Sequence, residues 1–166
     1  MKKIGIFYGS STGATKSVAE KIAKTLGMDI EDVHDITGTS PSKVADYDVI
    51  LLGTSTWGSG ELQDDWYDFI AGLEELYLKG KSIALFGCGD ENMSDTFCNA
   101  VGILYDRLQK TEAKFIGEFN TDGYEFSESE AVKDGKAVGL LIDDTNHSDL
   151  TDKRVGEWCA KIKEEI

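Results

Sequence analysis

Apolar residues along this chain recur with two periods. Short β-branched or apolar runs fall at Ile4 to Tyr8, Ile30 to His34, Val49 to Gly53 and Ser82 to Phe86. Between them, apolar residues return every three or four positions. The first such stretch places Val18, Ile22 and Leu26 on one face, with Ala19 and Ala23 beside them. It closes at Gly27, a residue type that commonly ends helices. Trp66, Phe69, Ile70 and Leu73 make a second stripe, and Phe97, Val101, Leu104, Tyr105 and Leu108 a third. Val155, Trp158, Cys159, Ile162 and Ile166 mark a closing helix. The only proline, Pro41, lies in a polar linker before the strong run at Val49. Continuous apolar runs alternating with amphipathic helices predict a parallel sheet covered on both faces.

A last strand begins near Lys114 and resumes at Val138 to Ile142. The interval from Phe119 to Ala137 is irregular, acidic and carries Asp122-Gly123 and Asp134-Gly135, so an insertion is expected to interrupt that strand. Right-handed crossovers then give an α/β fold with a five-stranded, doubly wound parallel sheet in the order 2-1-3-4-5. Ligands are expected beyond the C-terminal ends of its strands. With no repeat and no second composition regime, residues 1–166 are expected to form one domain.

Composition narrows the function. No apolar stretch approaches the roughly 20 residues that span a bilayer. Met1-Lys2-Lys3 runs directly into the first strand with no leader pattern, so the expected location is the cytoplasm. Cys88, Cys98 and Cys159 are odd in number and lack C-x-x-C spacing, which favours buried thiols over a disulfide framework or a zinc site. With only His34 and His147 besides, no metal site is expected. The formal net charge is −14, and arginine occurs only at Arg107 and Arg154. Such a charge repels nucleic acid and steers the protein toward a basic partner surface, more slowly as salt rises.

Three loops after strands could carry chemistry. Gly9-Ser10-Ser11-Thr12-Gly13-Ala14-Thr15 links a strand to a helix, and backbone N–H groups, hydroxyls and glycines together suit an anion. Helix capping alone would explain one hydroxyl but not this run. The loop lacks both G-x-x-x-x-G-K-[ST] and G-x-G-x-x-G, which favours a small monophosphate over a triphosphate or a dinucleotide. The second loop, Thr54-Ser55-Thr56-Trp57-Gly58-Ser59-Gly60-Glu61-Leu62, sets a tryptophan among glycines, suited to stacking on a flat ligand. The third, Gly87-Cys88-Gly89-Asp90-Glu91-Asn92-Met93-Ser94-Asp95-Thr96-Phe97, has glycines that let backbone groups face a heteroaromatic edge. Cys88 is no phosphatase nucleophile, because Ser94 stands where an arginine would be needed.

In this order, Ile6 to Gly13, Thr56 to Trp66 and Gly87 to Asp90 resemble the flavodoxin family. The interrupted strand, with Thr121 to Phe126 and Gly139 to Asp144, is similar to the insertion of its long-chain group. The resemblance runs from end to end. It implies a non-covalent FMN cycling between oxidised, neutral semiquinone and anionic hydroquinone states, in a low-potential carrier that is not itself an enzyme. By similarity, Ser10, Ser11, Thr12, Gly13, Ala14 and Thr15 would hold the phosphate without a countercharge. Thr54, Ser55 and Thr56 would border the phosphate and ribityl chain, and Trp57 would cover one flavin face. Asp90, with the backbone of Cys88 and Gly89, would meet the pyrimidine edge. Gly58, Ser59, Gly60, Gly87, Met93 and Asp95 complete the candidate set. The Gly58 carbonyl would turn toward the flavin, and Met93 stands nearest the position from which a tyrosine usually stacks on the second face.

Partners implied are redox proteins with basic docking surfaces: ferredoxin/flavodoxin reductase-type donors and low-potential oxidoreductase acceptors. The carrier itself would be a monomer. Glu61, Asp64, Asp65, Asp68, Asp90, Glu91 and Asp95 fall in or beside the flavin loops and would oppose a second electron. An FMN-dependent NAD(P)H:quinone-type oxidoreductase is the alternative. A receiver-type signalling domain fits less well, because Gly53-Thr54 occupies the place where receivers need an acid.

Overall fold

The computed structural model describes residues 2–9, 13–57, 61–62, 65–90, 97–121, 123–124, 126, 129–143 and 146–166, with the side chains of Trp57 and Glu61 set aside. In chain order its elements are β1 (Ile4–Tyr8), α1 (Ala14–Leu26), β2 (Val33–Asp35), β3 (Val49–Trp57), β4 (Glu61–Leu62), α2 (Trp66–Glu74) and β5 (Ser82–Cys88). They continue with α3 (Asn99–Arg107), β6 (Lys114–Ile116), β7 (Val132–Lys133), β8 (Lys136–Ala137), β9 (Leu140–Ile142) and α4 (Ser148–Glu165).

The main strands pair in parallel as β2-β1-β3-β5, and β6 and β9 share the fifth lane, each pairing with β5. This is the expected 2-1-3-4-5 order. Because the chain changes its direction of travel after β2, right-handed crossovers put α1, packed with α4, on one face and α2 and α3 on the other. The centre of the sheet is dry: Phe7, Ile50, Leu51, Leu52, Leu85 and Phe86 are buried on β1, β3 and β5. The two tryptophans that close the core satisfy their indole N–H groups on backbone carbonyls. Trp66 donates to Gly53 at 2.9 Å and Trp158 to Gly117 at 2.8 Å. Among the described residues, no helix is long and apolar enough to cross a membrane.

The structure departs from the apolar pattern at element ends. The run at Ile30 is first a 3-10 turn, Ile30–Asp32, and only Val33–Asp35 joins the sheet edge; Ile30 itself is 72% exposed, so its hydrophobicity serves no core. Phe97 is buried but precedes α3, because Cys98 adopts a left-handed backbone with φ 52° at the helix start. Leu108 belongs to a following 3-10 turn, Leu108–Thr111, and Ile166 lies beyond α4 and is exposed. All three cysteines are buried.

The insertion is wider than the irregular interval suggests, since the fifth lane resumes only at Leu140. Within it β7 and β8 form a hairpin turned by Asp134 and Gly135, both at positive φ (53° and 80°), as a tight two-residue turn requires. Phe126 stacks on Phe97 at a centroid separation of 5.1 Å, and Tyr124 packs tilted against it at 5.9 Å. Ser129 Oγ donates to the Phe97 carbonyl, and the Glu130 N–H donates to Asn99 Oδ1 at 2.7 Å. The Arg154 guanidinium, nearly buried on α4, lies 3.8 Å over the Tyr124 ring.

Candidate functional site

The topological reversal lies between β1 and β3, so the loops leaving these strands diverge over opposite faces and open a crevice at their C-terminal ends. Register aligns the exits: Tyr8 lies beside Gly53, Thr54 beside Gly87, Ser55 beside Cys88, and Cys88 beside Ile142. The Gly9 N–H donates to the Gly53 carbonyl at 3.0 Å and ties the first loop to β3.

Of the first loop, Gly9, Gly13, Ala14 and Thr15 are described; Ser10, Ser11 and Thr12 lie outside the described residues. Gly13 caps the start of α1 with φ 92°, a left-handed conformation that glycine adopts without penalty, and its carbonyl accepts from the Ser17 N–H at 3.0 Å. No acid occupies the first turn of α1, so the positive end of the helix dipole there favours an anion. Thr15 is fully buried, its Oγ1 2.6 Å from Ser55 Oγ, so a hydroxyl pair joins the first loop to the second.

In the second loop β3 runs four residues past Gly53 and folds back on β4, pairing Thr56 with Leu62 and Trp57 with Glu61. The backbone of Trp57 is thereby fixed, while Gly58, Ser59 and Gly60 lie outside the described residues. Thr54 is buried and its hydroxyl donates to the Ser55 carbonyl at 3.0 Å, which makes it wall. Thr56 Oγ1 accepts the Ala100 N–H at 3.2 Å, linking this loop to the first turn of α3.

The segment expected as the third loop starts inside the sheet, since β5 runs through Gly87 and Cys88 rather than ending at Phe86, and this shows why glycines flank Cys88. A Cβ on Gly87 would lie 2.2 Å from Val101 Cγ2 and 2.8 Å from the Thr54 carbonyl oxygen; one on Gly89 would lie 2.9 Å from the Cys98 nitrogen. These glycines let β5 pack tightly against β3 and the start of α3. The Gly89 N–H is already engaged, donating to the Ile142 carbonyl at 2.9 Å. Asp90 is half-buried, and its Oδ1 accepts from Asn146 Nδ2 at 2.6 Å. Met93 and Asp95 lie outside the described residues.

The turn after β9 escaped the sequence reading. Asp143 is 1% exposed there and accepts the Asn146 backbone N–H at 2.9 Å and its Nδ2 at 2.8 Å. Nothing in the local sequence marks a link from this turn to the third loop. Tyr8, at the end of β1, has its phenol pushed up by burial and then by the charges of Asp35 and Glu20, so it stays neutral beside the site. Among the described residues, no group of histidine, cysteine and carboxylate side chains could hold a metal ion.

A doubly wound sheet with a helix start led by a left-handed glycine and two glycine-bearing loops at its switch point defines a class: α/β proteins that hold a small phosphorylated ligand at the strand ends. The flavodoxin family model matches residues 6–158, and the chain belongs to the flavodoxin family. It is 42% identical over 166 residues to a flavodoxin of Nostoc sp., with 99% of this chain and 98% of that protein covered. It is 44% identical over 164 residues to flavodoxin 1 of Escherichia coli, covering 98% and 93%. A crystal structure of Fusobacterium nucleatum flavodoxin bound to flavin mononucleotide superposes with a TM-score of 0.91, at 32% identity, covering 100% of this chain and 99% of that one.

Proposed function

We propose that this protein is a one-electron carrier built on a non-covalently held FMN. The observation that carries the reading is the convergence of the β1, β3 and β5 exits at the switch point, stitched by the Thr15–Ser55 hydroxyl pair at the start of α1. The Fusobacterium flavodoxin that matches along the whole chain is described as bound to flavin mononucleotide.

In this reading the main chain from Ser10 to Thr15 holds the phosphate through N–H groups, with Ser10, Ser11 and Thr12 adding hydroxyl donors. Ser55 and Thr56 border the ribityl chain, Trp57 covers one ring face and Met93 fills toward the other. Asp90 receives the pyrimidine edge, with the carbonyls of Gly87, Cys88 and Gly89 along the wall and Ser59, Gly60 and Asp95 at the rim. Bound FMN would supply a ring system that accepts electrons singly. Gly58 has no Cβ to resist rotation of its peptide, so its carbonyl can turn to accept a hydrogen bond when the ring nitrogen is protonated. The acids around the loops match a basic docking surface, as expected of a reductase-type donor or an oxidoreductase acceptor. We also read residues 1–166 as one cytoplasmic, monomeric domain, and the insertion as that of the long-chain group.

Titration of the purified protein with FMN, followed by stepwise dithionite reduction and assay with NADPH, tests the reading. One FMN should bind per chain, reduction should proceed in two one-electron steps, and NADPH should be consumed only when a reductase is added. Failure to bind FMN, or steady turnover with NADPH and a quinone alone, overturns it.

A further inference from the structure

We propose that Asn146 is a positioning residue for the third loop, a two-pronged amide that fixes the Asp90 carboxylate at the ligand edge. The inference rests on the FMN reading above. Two carboxylates of like charge, Asp90 and Asp143, converge on one side-chain amide: Nδ2 lies 2.6 Å from Asp90 Oδ1 and 2.8 Å from Asp143 Oδ2. An Nδ2 group carries two N–H bonds, so one can serve each acid. Asp143 is the fixed point. It is 1% exposed at the end of β9, accepts the Asn146 backbone N–H at 2.9 Å, and its carbonyl accepts the His147 N–H at 3.0 Å. The order of restraint therefore runs from the sheet to Asp143, then to Asn146, then to Asp90. The same segment also holds the preceding residue, through the Gly89 N–H and the Ile142 carbonyl at 2.9 Å.

The chemistry admits few substitutes. An aspartate at 146 would replace the amide's two N–H donors with a third carboxylate, and a serine has one O–H for two acceptors. Loss of the amide removes the Asp90 hydrogen bond to Asn146 and with it the link through Asn146 to Asp143. Its effect on the ligand must then pass through Asp90.

A double-mutant cycle tests this in the full-length protein with Asn146→Ser, Asp90→Ala and the pair together. Serine keeps the turn-forming character of position 146, so the fold should persist. FMN affinity is read by fluorescence, both midpoint potentials by redox titration, and apoprotein unfolding by circular dichroism. Asn146→Ser should weaken FMN roughly tenfold, about 1.4 kcal/mol, as for one hydrogen bond to a charged group. It should shift the potentials, and it should add nothing once Asp90 is alanine. Unchanged affinity and potentials in Asn146→Ser, or full additivity with Asp90→Ala, overturns the proposal. Apoprotein destabilisation with the potentials unmoved also overturns it, since that marks a purely structural turn. A wild-type protein that binds no FMN would strike the functional reading instead.

Discussion

His34 stacks on Phe7 at a centroid distance of 4.9 Å, with Nε2 2.8 Å from the Tyr47 hydroxyl, which in turn donates to Asp32 Oδ1 at 3.0 Å. Since the phenol spends its proton on Asp32, Nε2 must be the donor to Tyr47, which fixes the neutral tautomer. Burial, then the nearby Lys43 charge, holds the imidazole below its ordinary 6.5, while burial and the bond to Asp32 push Tyr47 up to about 12. The unfolded chain therefore takes up a proton near pH 6.5 that the folded chain refuses, so this site lowers stability as pH falls through that range. Replacing His34→Gln should flatten the decline in unfolding free energy between about pH 7.5 and 5. Identical slopes in urea titrations of the two proteins would sink the assignment. Gly87 gives a steric counterpart. Gly87→Ala should cost about 1–3 kcal/mol in urea denaturation. Val101→Ala in the same chain should recover only part of that, because the Thr54 carbonyl stays 2.8 Å from the new Cβ. Sequence marks Gly87 as a loop glycine; that its neighbour on α3 is Val101 follows only from packing across the sheet.

At the scale of elements, α2 and the end of α3 meet through Glu74. Arg107 Nε donates to it at 3.2 Å, the Arg107 terminal nitrogen pairs with its other oxygen, and Lys110 lies 3.0 Å away. A carboxylate at the last turn of a helix opposes the dipole, and these cations compensate. Hydrogen bonds from Arg107 and then Lys110 hold its pKa below the ordinary 4.5. Its contribution is present above that value and lost as pH falls through the lowered one. Glu74→Gln should accordingly be less stable than the parent near neutrality and equal to it once the parent carboxyl is protonated, as thermal melts across that range would show. A gap that persists in acid would contradict the ion-pair origin. The helical stripes were legible because burial of one face dictates their period, and every residue of the Trp66, Phe69, Ile70 and Leu73 stripe is buried. Strand limits were less so: Ile30 mimics a strand residue while facing solvent, and β4 is two residues long, too short to show a period.

Over the whole molecule, the strand order and the divided outer strand followed from alternation and crossover handedness, which are properties of long segments. The candidate site was legible as three loops because their glycines, hydroxyls and tryptophan are local. The stitching between them joins residues 40 or more positions apart, as Thr15 to Ser55 and Asp90 to Asn146, and no local pattern encodes it. The charge of −14 acts at this scale too. At ~12 Å and an effective dielectric near ~40, one carboxylate opposes an added electron by roughly 0.7 kcal/mol, on the order of 30 mV. Several acids in or beside the second and third loops would, in the proposed FMN carrier, lower the second one-electron couple by roughly one or two hundred millivolts if they add. Raising ionic strength from about 0.01 M to 0.5 M shortens the screening length several-fold, so that couple should rise by tens of millivolts. A potential indifferent to salt would remove the charge from the account.

The fifth lane of the sheet also bears on how this chain tolerates change in length. Ile116 pairs with Ala84 and Leu140 with Phe86, so residues 117–139 enter and leave the sheet within the space of a single strand position opposite Leu85. The lane behaves as an expansion port, where chain can be gained or shed while the hydrogen-bond ladder on either side keeps its phase. What such an exchange would alter is the backing of Phe97 by Tyr124 and Phe126, and with it the stiffness of the ground on which the third loop stands.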